Sequence, residues 1–230
     1  MQGTDTDQQS ASQEAQSLFE MMRTELYSGV ISDILDSLGY RDQAMEASIR
    51  PVYAGAVVVG RAHTVLSSDV YAMPEDRYSM EIKAVDSLKP GDVMVASTNQ
   101  STRTCLWGEL LSTAARARGA RGAVIDGHTR DVRHIERMQF PVFSTGMRPV
   151  DSAGRGLVIA YGEPVVCGGV LVNPGDIIFG DIDGVVVIPK AVEEQVIAGA
   201  RQKVTSENRS RVDLERGDYL RDVYERYGVL

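Results

Sequence analysis

Cysteine is scarce in this sequence of 230 residues, which contains two, Cys105 and Cys167. Their spacing matches no metal-ligand motif, and a chain of this length buries enough apolar surface to fold without a disulfide. We therefore expect reduced thiols and a cytoplasmic protein. Cys105 also lacks a histidine and an acid in the sequence that would make it a nucleophile.

Long apolar runs are absent as well, since none reaches the roughly 18 residues of a membrane-spanning helix. The first residues, MQGTDTDQQSASQEAQ, lack the basic and apolar regions of a secretory signal.

Positive charge is in deficit, because the chain has 24 Lys and Arg residues and 32 Asp and Glu residues. Nucleic-acid binders need basic surfaces to contact phosphates, so we expect neither nucleic acid nor a membrane as a partner. A small anionic substrate is compatible with this charge if a local cation holds it.

The remaining composition, with 43% hydrophobic and 24% charged residues, is typical of a globular protein. Residues 1–14 are polar and aperiodic, which predicts a disordered or loosely attached tail ahead of one domain over residues 15–230. Segments rich in Val and Gly from Ile49 onward predict strands, and helical patterns alternate with strands in the middle of the chain. This order predicts a single mixed α/β domain with layered sheets and a helical C-terminal extension.

Two further patterns concern turns and helix ends. A Pro-Gly-Asp sequence followed by an apolar strand occurs twice, in KPGDVMVAS (89–97) and NPGDIIFGD (173–181). Pro-Gly pairs are common in turns, so both segments predict a turn that leads into a strand, and they are a candidate internal repeat. Earlier in the chain, Ser32 or Asp33 is expected to cap a short helix that Gly39 closes.

Charged residues are concentrated in one short segment, VIDGHTRDVRHI (124–135). The pattern around it predicts a helix over 107–118, a strand over 122–126, a loop, and a second helix from about residue 131. Ligands of α/β folds often bind beyond the carboxyl ends of strands, where this loop would lie, and Gly127 is expected to let the chain turn tightly there. The free N–H groups at the start of the first helix, from Gly108 to Leu111, are a candidate cradle for a carboxylate.

Arg130 and Asp131 carry the clearest chemistry in this segment. Arginine presents a rigid fork of donors to a carboxylate or an enolate oxygen. Magnesium is often held by one or two protein carboxylates and completes its shell with water and substrate oxygens, so Asp131 alone is a reasonable ligand. Such a metal would polarise a keto oxygen and stabilise an enolate.

Structural roles for the same residues stay open at this point. Asp131 can cap the helix that follows it, Glu109 can interact with the dipole of its helix, and Arg130 can be a surface residue. His128 and His134 lack a further histidine at ligand spacing, which favours turn or surface positions over metal ligation. The pattern alone predicts an acidic α/β protein with a candidate anion or metal site.

Longer motifs are more informative about the family of the protein than these single residues are. The segment WGELLSTAARARGARGAVIDGHTRDVRHIERMQFPVFSTG (107–146) resembles the RraA-like family, which includes the 4-hydroxy-4-methyl-2-oxoglutarate aldolases and the regulators of ribonuclease activity A. Its Gly-Glu helix start, its Asp-Gly-x-x-Arg-Asp motif and its Pro-Val-Phe strand follow the order of that family. The segments ISDILDSLG, GRAHTV and CGGVLVNPGDIIFGDIDGVVVIP resemble other parts of the family. Together the motifs cover about residues 25–230, and their shared order makes the resemblance specific.

The resemblance implies a layered α/β/β/α sandwich, assembled as a homotrimer or homohexamer with sites between subunits. It implies that Asp131 holds a divalent metal, Mg²⁺ or Mn²⁺, and that Arg130 binds the substrate near its keto oxygen. The backbone of Gly108, Glu109, Leu110 and Leu111 would hold the carboxylate of a pyruvate-like substrate. Glu109 would orient water or assist proton transfer, and Glu207 would complete the site of a neighbouring subunit.

The activity implied in this way is that of a class II, metal-dependent carbon–carbon lyase. It would cleave a 4-hydroxy-2-oxo acid or diacid to pyruvate and would decarboxylate oxaloacetate as a side activity. Regulators in the family commonly lack the full set of acids, whereas this chain has Glu109, Arg130 and Asp131, which favours an enzyme. Two alternatives stay open: a ring-shaped regulator that binds a ribonuclease without turnover, and a lyase or dehydratase that acts on a sugar acid.

Overall fold

The computed structural model describes residues 3–229, and the side chains of residues 14–229. Over this range the chain forms a mixed α/β fold, which confirms the predicted fold class. The helices are α1 (Gly3–Glu25), α2 (Ser28–Ser37), α3 (Ser79–Asp86), α4 (Glu109–Ala117), α5 (Val132–Met138), α6 (Glu193–Glu215) and α7 (Leu220–Tyr227). The strands are β1 (Arg50–Pro51), β2 (Val58–Asp69), β3 (Asp92–Ser97), β4 (Cys105–Trp107), β5 (Gly122–Thr129), β6 (Val142–Met147), β7 (Gly156–Tyr161), β8 (Val165–Cys167), β9 (Val170–Val172), β10 (Ile177–Asp181) and β11 (Gly184–Ile188).

One sheet of nine strands organises the part of the chain that the structure describes. Its order is β1-β6-β5-β3-β2-β10-β11, with β4 also paired to β5 and β7 to β2, while β8 and β9 form a separate hairpin. The strands from β6 to β2 run parallel to one another. Strands β3 and β5 are almost fully buried, as expected for central parallel strands covered on both faces. Because they are parallel, their carboxyl ends meet at the same edge of the sheet.

Apolar side chains are buried in two clusters that lie on opposite faces of the sheet. One cluster includes Trp107 and Phe143, and the other packs α1, α2 and α6 against β10 and β11. Alternate residues of β10 divide between the clusters, since Ile177 and Phe179 belong to the second and Ile178 belongs to the first. Successive side chains of a strand point to opposite faces, so the alternation produces the layered arrangement.

Two boundaries near the charged segment differ from the sequence-based prediction. The helix predicted over 107–118 begins at Glu109, because residues 105–107 form the short strand β4. The strand predicted over 122–126 continues to Thr129, because β4 and β6 both pair with its last residues. The turn before α5 is therefore reduced to Arg130 and Asp131.

The early helix also begins elsewhere than predicted. Helix α2 starts at Ser28, so Ser32 and Asp33 lie inside it and the cap expected from them is wrong. The backbone N–H and the hydroxyl of Ser28 instead donate to Asp181, each at 2.7 Å. Gly39 follows the helix with a φ of 88°, which agrees with its expected role in closing it.

The N-terminal segment is helical from Gly3 to Glu25. Helix α1 includes the backbone from Gly3, and its side chains at Phe19 and Met22 are buried in the second cluster. Residues 1, 2 and 230 and the side chains of residues 3–13 lie outside the described part of the chain. The boundary at residue 14 between a tail and a domain over 15–230 therefore stays a prediction. None of the described helices is both long and apolar enough to cross a membrane.

Candidate functional site

The turn formed by Arg130 and Asp131 lies at the carboxyl end of β5, beside the start of α4. Strand β4 pairs in parallel with the end of β5, which places Trp107 opposite Thr129. The N–H of Arg130 donates to the carbonyl oxygen of Trp107 at 3.0 Å. Because Gly108 directly follows Trp107, this pairing brings the turn and the first residues of α4 together, as expected from the sequence.

Asp131 has a left-handed backbone, with a φ of 61° and a ψ of 27°, which is uncommon for a residue other than glycine. It precedes α5, yet its side chain forms no capping hydrogen bond with that helix. Instead its Oδ2 accepts from the N–H of Glu109 at 3.3 Å and lies 3.6 Å from Nε of Arg130. Its Oδ1 has no hydrogen-bond or ion-pair partner among residues 14–229, and the side chain is 43% exposed. The carboxylate is thus directed to α4, with one oxygen open.

Gly108 allows this close contact between the turn and α4. A Cβ atom at this position would lie 2.8 Å from Oδ2 of Asp131 and 3.2 Å from Cγ of Arg130. The first N–H groups of a helix have no acceptor inside it, and that of Glu109 is taken by Asp131. The N–H groups of Leu110 and Leu111 have no such partner in the described structure. The start of α4 therefore has both space and donors for an anion.

The guanidinium of Arg130 lies between two carboxylates. Its Nε is 3.6 Å from Oδ2 of Asp131, and its Nη2 is 3.6 Å from Oδ1 of Asp151. It donates no hydrogen bond to a described residue, and the side chain is 38% exposed. These ion pairs hold the guanidinium in place while its donors stay available to a ligand.

A cavity of about 310 Å³ joins these groups. Its wall contains each residue predicted for the substrate site on α4 and at the turn, together with residues from α3 and from the loop before β7. The lining residues are Tyr78, Glu81, Ile82, residues 105–111, Arg130, Asp131, Asp151 and Ser152.

Asp151 is one of the lining residues that sequence reasoning missed. It accepts hydrogen bonds from the hydroxyl of Tyr78 at 2.9 Å and from the N–H of Ser152 at 2.8 Å. Burial raises the pKa of Asp151, but these hydrogen bonds and the charge of Arg130 together lower it below its ordinary value. The loop around Asp151 has no periodic pattern, so nothing in the sequence connected it with the turn at Arg130.

Glu81 is the second acid that the sequence did not identify. The pKa of Glu81 is raised to about 7, mainly by burial and in part by the nearby Asp151 carboxylate, while the charge of Arg130 lowers it in part. A signal was present in the sequence of α3, because Glu81 precedes the buried residues Ala84 and Val85 by three and four positions. An acid on the apolar face of a helix is unusual and indicates either a partner or a function.

Glu207 is the predicted site residue that lies elsewhere in the chain. It belongs to α6 and is not part of the cavity wall. Burial raises its pKa, and the charge of Arg211 lowers it in part. Its proposed contribution to the site of a neighbouring subunit stays a prediction.

Asp126 and Gly127 have structural roles inside β5. Asp126 is buried and accepts hydrogen bonds from the N–H and the hydroxyl of Thr98. A Cβ atom at Gly127 would lie 2.5 Å from Oγ1 of Thr98, so this glycine permits close packing of β5. The tight turn expected at Gly127 is wrong, because the strand continues through it.

We assign no catalytic role in the cavity to His128, His134 or Cys105. His128 lies in β5 and His134 in α5, and neither lines the cavity. Cys105 does line it, but burial raises the pKa of its thiol, which contacts the carbonyl oxygen of Arg148 and is a poor nucleophile. Over residues 14–229, no three His, Cys, Asp or Glu side chains form a group that could enclose a metal ion.

A site with few protein ligands is still compatible with a hard divalent cation. Oδ1 of Asp131 is open toward solvent and belongs to a carboxylate, the ligand type that Mg²⁺ and Mn²⁺ prefer. Water and substrate oxygens would fill the other positions. The residues at the turn therefore fit a metal that binds mainly through water and substrate.

Comparison with known proteins identifies the family of the chain. A model of the RraA-like family, described as Aldolase/RraA, matches residues 29–187. A protein of Halalkalibacterium halodurans named "Putative 4-hydroxy-4-methyl-2-oxoglutarate aldolase" is 36% identical over 175 residues, which are 75% of this chain and 77% of that protein.

Solved structures show the same fold. RraAS2 of Streptomyces coelicolor, described as an unusual member of the RNase ES inhibitor RraA protein family, has a TM-score of 0.77 at 28% identity, over 85% of this chain and 97% of that one. An uncharacterized protein of Pseudomonas syringae pv. tomato has a TM-score of 0.78 at 29% identity, over 90% of this chain and 96% of that one. The matched range contains α4, β5 and the turn with Arg130 and Asp131. On sequence and fold, the chain belongs to the RraA-like family.

Proposed function

We propose that the protein is a divalent-metal-dependent class II aldolase that cleaves a 4-hydroxy-2-oxo acid or diacid and releases pyruvate. The observation that carries this proposal is the left-handed turn at Asp131. It holds an open carboxylate oxygen, the guanidinium of Arg130 and the free N–H groups of α4 in one cavity. The aldolase name of the Halalkalibacterium halodurans relative supports the same chemistry.

The start of α4 and Arg130 would bind the keto acid end of the substrate. The N–H groups of Leu110 and Leu111 would donate to the carboxylate, with support from the helix dipole. Arg130 would donate to the keto oxygen, which becomes an enolate oxygen when the C3–C4 bond breaks. Because negative charge grows on this oxygen, Arg130 would bind the transition state more strongly than the substrate.

Asp131 would hold the metal, Mg²⁺ or Mn²⁺, through its open Oδ1. The bound metal supplies Lewis-acid stabilisation of the developing enolate. Glu109 lies in the first turn of α4, where its Oε1 accepts from the hydroxyl of Thr113 at 3.0 Å and its side chain lines the cavity. From this position it would orient water. Glu207 of a neighbouring subunit would complete the site in a homotrimer or homohexamer.

The proposal also predicts decarboxylation of oxaloacetate. Loss of CO₂ from oxaloacetate and aldol cleavage of a 4-hydroxy-2-oxo acid both produce the enolate of pyruvate. Groups that stabilise this enolate therefore assist both reactions. The two substrates share their keto acid end, which is the part that Arg130 and α4 would bind.

The first test is pyruvate release from oxaloacetate and from 4-hydroxy-4-methyl-2-oxoglutarate, with Mg²⁺ or with a chelator. We expect wild-type activity only with the metal, and a loss of more than about 100-fold in Asp131→Asn, because the metal ligand is removed. Asparagine keeps the size of the side chain and tolerates the left-handed backbone, so the variant should fold. Asp183→Asn, at an exposed position outside the cavity, is the matched control.

Wild-type protein that releases no pyruvate above the background of the metal alone would contradict the aldolase proposal. Two alternatives would then be tested. The likeness to the Streptomyces coelicolor member of the RNase ES inhibitor family favours a non-catalytic regulator, which would keep binding a ribonuclease after chelation and in Asp131→Asn. A sugar-acid lyase or dehydratase would instead show metal-dependent turnover of a polyhydroxy acid.

A further inference from the structure

Glu81 occupies an unusual position in the wall of the cavity. Among the acidic residues that line it, Glu81 alone has no hydrogen bond or ion pair with a described residue. Glu109, Asp131 and Asp151 each have at least one such partner. Glu81 also borders a small apolar space formed by Trp107, Leu111 and Val158, among other residues. Its carboxylate therefore lies between the apolar core and the cavity, without a structural partner to explain it.

Titratable groups face Glu81 from every element that forms the cavity. They belong to Tyr78 before α3, Cys105 in β4, Glu109 in α4, Arg130 and Asp131 after β5, and Asp151 before β7. Asp151 is bound by Tyr78, Ser152 and Arg130, which stabilise its charged form. Glu81 has the opposite property, since burial raises its pKa to about 7. A carboxylate with this pKa accepts a proton near neutral pH far better than an ordinary glutamate.

Cleavage of a 4-hydroxy-2-oxo acid requires such a group, because the proton of the C4 hydroxyl must leave as the C3–C4 bond breaks. Arginine side chains are donors only and have no acceptor atom, so Arg130 cannot accept it. Asp131 is assigned to the metal, and Glu109 accepts from Thr113. Glu81 lies on α3, a separate wall from the turn and α4 that would bind the keto acid end.

We propose that Glu81 is the general base of the cleavage, which accepts the proton of the C4 hydroxyl; this inference rests on the proposed function. As the proton moves to Glu81, the C4 oxygen forms a carbonyl and the C3–C4 bond breaks. The electrons of that bond form the C2=C3 double bond of the enolate and leave the negative charge on the C2 oxygen beside Arg130. A proton from water then adds to C3 and restores the keto group, and Glu81 returns its proton to solvent.

Comparison of the two substrates tests this role, because oxaloacetate has no hydroxyl proton to lose. We expect Glu81→Gln to lower kcat for cleavage of 4-hydroxy-4-methyl-2-oxoglutarate by about 100-fold or more. Oxaloacetate decarboxylation should stay within about threefold of wild type. The matched control is Glu75→Gln, the same chemical change at an exposed position outside the cavity wall.

The pH profile gives a second readout. In wild type and in Glu75→Gln, kcat/KM for cleavage should rise with pH around an apparent pKa near 7, the value of Glu81. Glu81→Gln should lose this rise, and Glu81→Asp, which keeps a carboxylate, should recover part of the rate.

The other outcomes show whether the assignment of Glu81 alone is wrong or whether the proposed function is wrong as well. If wild type cleaves and Glu81→Gln cleaves within about threefold of it, Glu81 is not the base and the proposed function stands. If Glu81→Gln loses decarboxylation as much as cleavage, its role is structural and the inference is overturned. If wild type shows neither metal-dependent reaction, the proposed function fails, and the assignment of Glu81 fails with it.

Discussion

At Asp131 a left-handed backbone replaces the ordinary start of a helix. Such a conformation costs a residue other than glycine about 1–2 kcal/mol, and it persists where surrounding contacts determine it. The contacts at this position are the hydrogen bond from Glu109 and the ion pair with Arg130. The side chain of Asp131 does not cap α5, although its backbone carbonyl oxygen accepts from the N–H groups of His134 at 2.9 Å and Ile135 at 3.2 Å. Residues with a strained backbone cluster at functional sites, which fits a role of the Asp131 carboxylate in the cavity.

Gly108→Ala tests how closely the turn must approach α4. The added Cβ would lie 2.8 Å from Oδ2 of Asp131, so the carboxylate has to move while the backbone keeps its ordinary extended form. We expect a folded variant whose kcat for pyruvate release falls by about 10- to 100-fold. Steady-state kinetics and a thermal unfolding curve measure the two effects.

Gly29→Ala is the control for this variant. Gly29 lies in α2, and a Cβ there would meet its nearest neighbour, the ring of Tyr27, at 3.6 Å, which is an ordinary contact. Unchanged activity in Gly108→Ala would show that the position of the Asp131 carboxylate does not matter for catalysis.

The predicted site residues that the structure brings together at the cavity wall are those that are close together in the chain. Arg130 and Asp131 follow one strand directly, and the start of α4 belongs to the same strand-helix-strand unit. Glu81 and Asp151 come from other elements and join them only through packing of α3 and the loop before β7. No local pattern contains that information.

At the level of elements, the two Pro-Gly-Asp segments form the same turn. The N–H of Lys89 donates to Oδ2 of Asp92 at 2.8 Å, and the N–H of Asn173 donates to Oδ2 of Asp176 at 2.8 Å. The turns lead into β3 and β10, which lie on either side of β2. However, β3 is parallel to β2 and β10 is antiparallel to it, so the similarity is limited to the turn and the strand it starts.

Asp176→Ala should destabilise the protein more than Asp92→Ala does. Asp176 is 3% exposed and accepts from the N–H groups of Asn173 and Lys190 in partly buried hydrogen bonds, and both donors would lose this partner. We expect a loss of about 2–4 kcal/mol in the free energy of unfolding for Asp176→Ala and about 1 kcal/mol for Asp92→Ala, whose side chain is 18% exposed.

Urea unfolding measures these differences, with Asp183→Ala as the control at an exposed position. The control should change the free energy of unfolding by less than about 0.5 kcal/mol. Equal values for Asp176→Ala and the control would show that the hydrogen bonds accepted by Asp176 add nothing to stability.

Element boundaries show where sequence patterns fail. Asp126-Gly127 has the composition of a turn, yet both residues lie in β5 because β4 and β6 pair with the residues after them. Ser32 and Asp33 have the composition of a cap, yet packing of Val30 and Ile31 in the second cluster extends α2 to Ser28. In both cases tertiary contacts outweigh local preference. The order of helices and strands follows the hydrophobic pattern and was predictable.

For the whole molecule, Glu81 connects function with stability. Its pKa is about 7 in the folded protein, compared with an ordinary value of 4.5. Between these two pH values the folded protein keeps a proton on Glu81 that the unfolded chain has lost. Its contribution to stability is complete below pH 4.5 and is lost as the pH rises to about 7. Glutamine resembles the protonated form. Glu81→Gln should therefore be more stable than wild type at pH 8, by up to about 3 kcal/mol, and the difference should disappear below pH 4.5.

Chemical unfolding of both proteins across this pH range measures the effect, with Glu75→Gln as the control. A variant that is no more stable than wild type at pH 8 would mean that burial in the folded protein does not disfavour the charged form of Glu81. A gain in stability together with a loss of cleavage would show the exchange of stability for activity that is common at catalytic positions.

Strand β2 has a consequence for the molecule as a whole. It is 12 residues long and pairs with β10 near its start, with β3 along its middle and with β7 at its end. Its neighbouring residues Val58 and Val59 belong to different apolar clusters. Neither layer can therefore be separated from the other without breaking this strand. We expect the two layers to lose their structure in one cooperative step, so that no fragment containing a single layer is a folding unit by itself.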